Sequence, residues 1–594
     1  MHRSPKWSPF AALAIVAIVF AACSGTQQAS SAPSAATSAA ASSAPSAAAS
    51  AAAPYTAMTY PATGEAPCGQ AAAPDATHDK YTGNFKKISA TDEKTVVFDL
   101  CNPDVAFLSK VAFSSFAIND TAWLESHIDP AATTQKIVSE VNGTGPWKLD
   151  AWNKGSDITM SRNDNYWGDK AKSEKLIFRW SKEAAQRLVE LSSGTVDGID
   201  NVGPTDFQTV SSNPDLQLKN RDGLNTFYVG MNNTFAPFDN EKVRQAIAMG
   251  IDRKRIVDNF YPAGSEVATH FTPCSIPNGC AGDDWYEFDA AKAKALLADA
   301  GFPNGFDTTI HYRDVVRGYL PDPNVVAQDI QAQLKKNLNI NAKIDIQESG
   351  TFIDNANNGK LDGIHLLGWG ADYPDITNFL DFHFGTGASK QFGTHHDDIT
   401  AALTAGAGGA DDAARAPAYT TANNAIKAHV PMVPIAHGGS AVAYRADVQN
   451  AHSSPLGNEN FAVMTPGDRT QFVWMQNAEP IGLYCADESD GESLRACEQM
   501  SESLYSYKVG GTEAQPALAT GCTPNADLTQ WTCTLRDGVT FHDGATLDAN
   551  DVVESFAVQW DADNPLHKGR DGSFPYLSGL FGGFLNPPPP APAS

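Results

Sequence analysis

Residues Thr532–Phe556 read TCTLRDGVTFHDGATLDANDVVESF. The segment TQWTCTLR leading into this stretch has a strand composition, and Pro524-Asn525-Ala526-Asp527 before it is turn material. A hairpin is therefore predicted, bracketed by Cys522 and Cys533. That pair belongs to a wider pattern. The chain has nine cysteines. With Cys23 set aside, the others fall into close pairs, Cys274 with Cys280, Cys485 with Cys497 and Cys522 with Cys533, leaving Cys68 with Cys101. An even set in an exported chain reads as structural disulfides, and none of the spacings is the CxxC of a zinc ribbon or redox motif. A Cys68–Cys101 bond would pin the start of the folded region beside the strand around Val96.

Export is read from the N-terminus. His2, Arg3 and Lys6 form a basic region, Phe10 to Ala22 an apolar stretch too short to span a bilayer as a helix, and Ala21-Ala22-Cys23 closes it. Residues 1–23 read as a lipoprotein signal, with Cys23 as the lipid-bearing residue on the outer face of the cytoplasmic membrane. The alternative is an ordinary secretory signal, which exports the chain all the same. Residues 24–74 form an Ala/Ser/Pro-rich tether, purest as far as Pro54, with too little large apolar surface to offset the entropy of ordering. About thirty such residues reach roughly 30 Å. A Pro-rich tail occupies 587–594. The remaining body, about 500 residues, should form two or three cores. A net charge of −26 with scattered Lys and Arg argues against a nucleic-acid or anionic-membrane surface.

Helices and strands interleave along the body. Asp289 caps a helix through Leu296 and Leu297 that Gly301 and Pro303 end. A second helix runs from about Asn324 to Lys336, with Val326, Ile330 and Leu334 on one face, and 342–346 alternates as a strand. Two short helices are expected between Asp239 and Phe260, the second capped by Asp252. The class is α/β, and no tandem repeat points to a solenoid or propeller.

Thr532–Phe556 resembles the early part of the extracellular solute-binding proteins of family 5, the peptide- and nickel-binding type of ABC-importer receptor. Blocks resembling the middle and end of that family come before it. They are KTVVFDL (Lys94 to Leu100), GTGPWKLDAW (Gly143 to Trp152), RNDNYWG (Arg162 to Gly168), VRQAIAMGIDRKRIV (Val243 to Val257), AKALLADAGFPNGF (Ala293 to Phe306) and GWGADYPD (Gly368 to Asp375). The resemblance covers about Tyr81 to Asn586 and looks like a circular permutant. A truncated second gene copy fused behind a decapitated first one is the rival. What is missing at the front appears at the back without evident overlap, which favours permutation.

The resemblance implies a two-lobed periplasmic-binding-protein-like fold of the large, type II peptide-binding class, with an extra small domain in the first lobe. Mapped here, 75–262 is the first part of the first lobe, 263–435 the second lobe and 436–586 the remainder of the first. The chain is expected to enter the second lobe near Ala263 and to return near Pro434 through VPMVPIAHGGSAVAYR. The ancestral termini would be joined at Thr465-Pro-Gly-Asp-Arg-Thr470. The small domain would be knitted from Thr532 to about Phe584 together with roughly Tyr81 to Leu149. Unless these end segments share one core, the permutation reading fails.

In relatives the Asp of GWGADYPD takes the ligand's α-ammonium, and the matching residue is Asp372. An ionised carboxylate in a water-poor cleft gives a charge-assisted hydrogen bond of about 1.5–3 kcal/mol. Trp369 and Tyr373 would wall the site beside Gly370. The plainer reading packs Trp369 in the core and has Asp372 cap a turn. Ile376 stands where many relatives have proline. Weaker cleft candidates are Trp147 in the glycine-rich turn from Asn142, His437 at the lobe crossover, and Ser489 in the acidic cluster Asp487, Glu488, Ser489 and Asp490. That cluster is otherwise a solvated loop. His395-His396-Asp397-Asp398 reads as a helix N-terminus, and His542 in FHDG as structural. No HExxH, P-loop, kinase or Gly-x-Ser-x-Gly motif is present, so neither metal, cofactor nor catalysis is expected.

The function expected is that of a lipid-anchored, monomeric receptor carrying a di- or oligopeptide to a heterodimeric ABC permease with cytoplasmic ATPases. Oligosaccharide or nickel-chelate binding on the same scaffold, a surface hydrolase using His437 and Ser440, and a ligand-presenting partner of a signalling receptor are the alternatives.

Overall fold

The strand Gln530–Leu535, which runs into the stretch quoted above, lies between partners from opposite ends of the chain in the computed structural model, which describes residues 55–69, 81–385 and 388–586. On one side it pairs antiparallel with Ala519–Pro524, Cys522 opposite Cys533. On the other it pairs with Thr95–Leu100, Cys533 opposite Val96 and Trp531 opposite Phe98. Phe85–Asp92 and Thr59–Tyr60 complete a five-stranded sheet. Val96, Phe98 and Leu100 alternate inward, as a half-buried strand requires. They meet the helix Ala549–Trp560, which starts with a capping box between Asp548 and Asp551. Phe85 stacks on Phe581 with centroids 4.3 Å apart, and Phe98 meets Phe556 edge-on at 5.0 Å. The two end segments thus share one hydrophobic core. Each fully buried Phe in it contributes about 1.5–3 kcal/mol, so neither segment would be stable alone.

The ends converge further. Tyr60 donates its hydroxyl proton to one oxygen of Asp561, and Asn586 Nδ2 donates to the other at 2.9 Å. Trp560 Nε1 donates to the Tyr81 hydroxyl at 2.9 Å. The expected tether to residue 74 is therefore too long: residues 59–60 complete a sheet edge, and Cys68 is bonded to Cys101. All four expected disulfides are formed. The signal region with Cys23, the tether to Pro54 and the tail from 587 lie outside the described residues.

A seven-stranded sheet organises the rest of the first lobe. Its order is Trp147–Asn153, Asp157–Arg162, Lys175–Trp180, Gln471–Gln476, Gly198–Ile199, Ser440–Arg445 and Leu216–Arg221. The small domain accordingly ends before Trp147, not at Leu149, because Leu149 pairs with Met160 in this larger sheet.

The second lobe is built on six strands, in the order Glu266–Val267, Met432–His437, Asn225–Met231, Ile364–Gly370, Asp307–Arg313 and Asn341–Gln347. Asn225–Met231 is apolar nearly throughout and buried on both faces, the mark of a central strand. It corrects the expected entry near Ala263: the chain crosses at 222–224, and the helices Glu241–Gly250 and Arg253–Phe260 already pack on this core. The other helices expected from sequence are present as Ala290–Asp299 and Pro323–Leu338, capped by Asp289 and Asp322. The return crossing is at Gly438-Gly439. Asn225 clasps Gly438, Nδ2 donating to its carbonyl at 2.7 Å and Oδ1 accepting from its N–H at 2.8 Å. A Cβ on Gly223 would lie 2.5 Å from the Gly438 oxygen, so the two crossings touch only because glycine is there.

Candidate functional site

The strand Ile364–Gly370 is buried along its length until Trp369 and Gly370 emerge. Its end is level with the lobe crossing, since Gly370 pairs with Asn225 and Ala371 N–H donates to the Leu224 carbonyl at 2.8 Å. The motif residues that follow are thereby held at the edge facing the first lobe. Pro374 and Asp375 then start the helix Ile376–Phe384. Asp375 caps it by accepting from Thr377 N–H at 2.9 Å, and is gripped at both oxygens by Arg415 at 2.7 and 2.8 Å. Burial pushes the Asp375 carboxyl up, but the Arg415 guanidinium outweighs it and holds the group below the usual range.

One turn into the helix, Asn378 ties the motif together. Its Oδ1 accepts from Trp369 Nε1 at 3.0 Å and from Asp372 N–H at 3.1 Å, while its Nδ2 donates to Asp372 Oδ2 at 3.0 Å. Across the lobe boundary, Tyr576 from the helix Pro575–Phe581 lies close enough to the same carboxylate to influence its titration. Burial pushes the Asp372 carboxyl up to about 6, partly offset by Asn378 and Tyr576. Among the described residues no ion pair neutralises it, so a ligand ammonium would find a half-buried carboxylate already oriented.

Tyr373, the next residue, buries its ring in the small-domain core, bonds Thr377 Oγ1 at 3.1 Å, and lies under the Lys110 ammonium, 5.6 Å from the ring centre. Lys110 is paired with Asp104 at 2.8 Å. Asp381 Oδ1 is buried without a hydrogen-bond partner, and burial, with the charge of Asp375, pushes that carboxyl up to about 7 against Lys110 and Arg415. Gly370 is exposed, with open space where a Cβ would stand. Trp369 is half-buried rather than a core residue.

The other sequence candidates are placed differently. Trp147 is a correction: it is fully buried in the core of the seven-stranded sheet and does not line a cleft. Gly143 and Gly145 in the same turn are required by close packing on Met500, 2.0 Å and 2.6 Å from their would-be Cβ atoms. His437 sits buried at the crossing, its Nδ1–H donating to Asn225 O at 2.7 Å, and burial lowers its pKa to about 4. Ser489 is exposed, and the bonds around Asp372 do not include it. Its acidic neighbours are not simply a solvated loop: Asp490 is half-buried and caps the helix Gly491–Cys497. Asp487 is buried, accepting the backbone N–H groups of Asp571, Gly572 and Phe574, and Glu488 is buried against Arg570 at 3.1 Å. Asp397 and Asp398 open a helix as expected. His542 donates from Nε2 to Gly145 O at 3.1 Å, a structural role. His270 lies close to Cys274 and Cys280, but those sulfurs are bonded to each other and offer no thiolate.

Sequence reading missed Asn378, Tyr576, Lys110 and Asp381. Asn378 carried a faint signal, being one turn beyond the Asp375 cap; nothing near Tyr576 in the sequence points to residue 372.

A family model described as bacterial extracellular solute-binding proteins, family 5 Middle, matches residues 39–391 and 513–573. Over 400 residues the chain is 30% identical to di/tripeptide-binding protein 1 of Pseudomonas aeruginosa, covering 65% of this chain and 72% of that one. Over 385 residues it is 28% identical to heme-binding protein A of Haemophilus influenzae, covering 64% and 70%. The solved dipeptide-binding protein of a Pseudoalteromonas species, in complex with Met-Leu, superimposes with a TM-score of 0.54 at 25% identity, covering 63% of this chain and 74% of that one.

Proposed function

Because the chain belongs to the bacterial extracellular solute-binding proteins of family 5, which bind solutes and are not enzymes, we propose that it is the peptide receptor of an ABC importer. A di- or oligopeptide binds between the lobes with its α-ammonium on Asp372 and is handed to a membrane permease. Cys23 carries the lipid that keeps the receptor at the membrane. The observation that carries the reading is the Asp372 carboxylate, held by Asn378 and beside Tyr576 of the other lobe, with no ion pair to it among the described residues. A ligand contacting both sides shifts the open–closed equilibrium by its differential affinity for the two forms. The printed functions of the di/tripeptide- and dipeptide-binding relatives support a peptide as that ligand.

The order of the chain is part of the same proposal: it is a circular permutant of the family. Three observations support it: the pairing of Gln530–Leu535 with Thr95–Leu100, the convergence of both ends on Asp561, and a continuous turn at 465–470.

The test is calorimetric titration of peptides into the Asp372→Asn protein. Affinity is expected to fall at least tenfold with the melting temperature nearly unchanged, because asparagine keeps the shape and most hydrogen bonds while losing the charge. Unaltered affinity overturns the assignment.

A further inference from the structure

Phe382 lies four residues beyond Asn378 on the helix Ile376–Phe384, so both side chains occupy one face. That face clamps Trp369 twice. Asn378 bonds the indole edge, and the Phe382 ring stacks on the indole face with centroids 4.0 Å apart and planes 28° apart. His383 meets the same indole edge-on at 5.0 Å. The helix is otherwise closely buried: Phe379, Leu380, His383 and Phe384 all face the second-lobe core, yet Phe382 is 39% exposed. An aromatic ring fixed by stacking and exposed at its edge is an apolar surface that something can meet.

What adjoins it defines that something. Asn378 joins Trp369 and Asp372 in one hydrogen-bonded unit, so the Phe382–Trp369 stack adjoins the segment that carries the carboxylate. Gly370 lies between them along the backbone, with nothing near its absent side chain. A group carrying a positive charge next to a large apolar body fits that arrangement: charge toward Asp372, apolar body against Phe382.

Taking Asp372 as the ammonium acceptor proposed above, we infer that Phe382 selects the first side chain of the peptide, favouring residues with large apolar or aromatic side chains. In an α-amino acid the ammonium and the side chain leave the same carbon, so a peptide anchored at Asp372 must project its first side chain close by, and the Phe382–Trp369 stack is the apolar surface joined to Asp372 through Asn378. The stack supplies a flat, rigid surface whose own rotamers are already fixed, so little further ordering opposes binding.

The experiment titrates Phe-Ala-Ala, Leu-Ala-Ala, Ala-Ala-Ala and Asp-Ala-Ala into the full-length protein after removal of co-purified ligand, and repeats the series with Phe382→Ala. The unaltered protein is expected to bind Phe-Ala-Ala about tenfold or more tightly than Ala-Ala-Ala, the scale set by a lost hydrophobic contact in a pocket. Phe382→Ala should abolish that preference while leaving Ala-Ala-Ala within about twofold and the melting temperature close to unchanged. The same preference surviving in Phe382→Ala, an equal loss for every peptide, or no first-residue preference in the unaltered protein overturns the inference. If Asp372→Asn also leaves binding intact, or no peptide binds at all, it is the receptor reading that fails.

Discussion

Two groups of buried charge lie on either side of the lobe crossing, and they differ in completeness. In the first lobe, Asp200, Arg221, Glu459 and Arg495 close a ring. Arg221 reaches Asp200 at 3.0 Å and also pairs with Glu459, while Arg495 reaches Asp200 at 3.1 Å and Glu459 at 3.1 Å. Burial alone would raise both carboxyls, yet the two guanidiniums hold them below their ordinary range. At the second lobe's edge, Asp372 and Asp381 are raised because hydrogen bonds and distant cations do not balance their burial. A ring in which every charge meets two opposite ones has nothing left for a ligand. A carboxylate with donors but no cation does.

The largest effect expected from this contrast is on stability. Replacing Arg495 by Met leaves Asp200 and Glu459 facing one guanidinium in a buried site, and removing one partner of such a pair costs about 3–5 kcal/mol. Guanidinium unfolding should show a loss of that size, while peptide affinity of the folded protein stays within about twofold. Asp372→Asn should do the reverse. A stable Arg495→Met protein, or one whose main defect is in binding, would erase the distinction between the two groups.

Acidity separates the same regions with opposite sign. A carboxyl raised by folding is protonated more readily in the native state than in the unfolded chain. What Asp372 contributes to stability is therefore present at low pH and lost as pH rises from about 4 through 6. Asp200 and Glu459, lowered by folding, contribute above pH about 4 and lose that contribution as pH falls below it. If Asp372 holds the ligand ammonium as proposed, it must be ionised to do so. Peptide affinity should thus rise about tenfold between pH 5 and pH 7, each pH unit below the group's value costing about a factor of ten. In Asp372→Asn the curve should flatten. A slope that survives the substitution would assign the titration to another group, with Asp381 the next to replace.

How much of this was legible in the sequence follows from the range of each interaction. Helix caps at Asp252 and Asp289 act within three residues and could be read directly, whereas the cap Asp322 went unread. So could the Cys522–Cys533 hairpin, and Asp372 through its motif. The second-lobe entry could not, because a central strand such as Asn225–Met231 shows no alternation that assigns it to one sheet over another. Trp147 and the acids at 487–488 looked available for a cleft because their partners, Met500 for the turn and 570–574 for the acids, are distant in sequence. Tyr576 is the extreme case: it comes near enough to influence Asp372 only because the C-terminal segment folds against the chain's beginning.

The smallest expected effect is the most exacting check on chain order. A rewired gene would begin at Asp468, run to Asn586, pass through a short flexible linker to Tyr55 and end at Gly467. The linker need not be long, since Tyr60 and Asn586 already share Asp561. The new cut falls between Glu459 and Arg495, so the closed ring must assemble from the two ends of the chain, whereas Asp372 to Phe382 remain within one unbroken run. If the order is a permutation of one body, both regions should re-form, with peptide affinity within about twofold and unfolding free energy changed by about 1 kcal/mol or less, since loop closure varies slowly with length. If the ends had been brought together by fusion of two partial copies, the turn at 465–470 would be an integral part of the first lobe. Cutting it would then unseat Glu459 and its ring, giving a loss comparable to Arg495→Met. Binding that survives while the ring is lost would place chain order and ligand site under separate control.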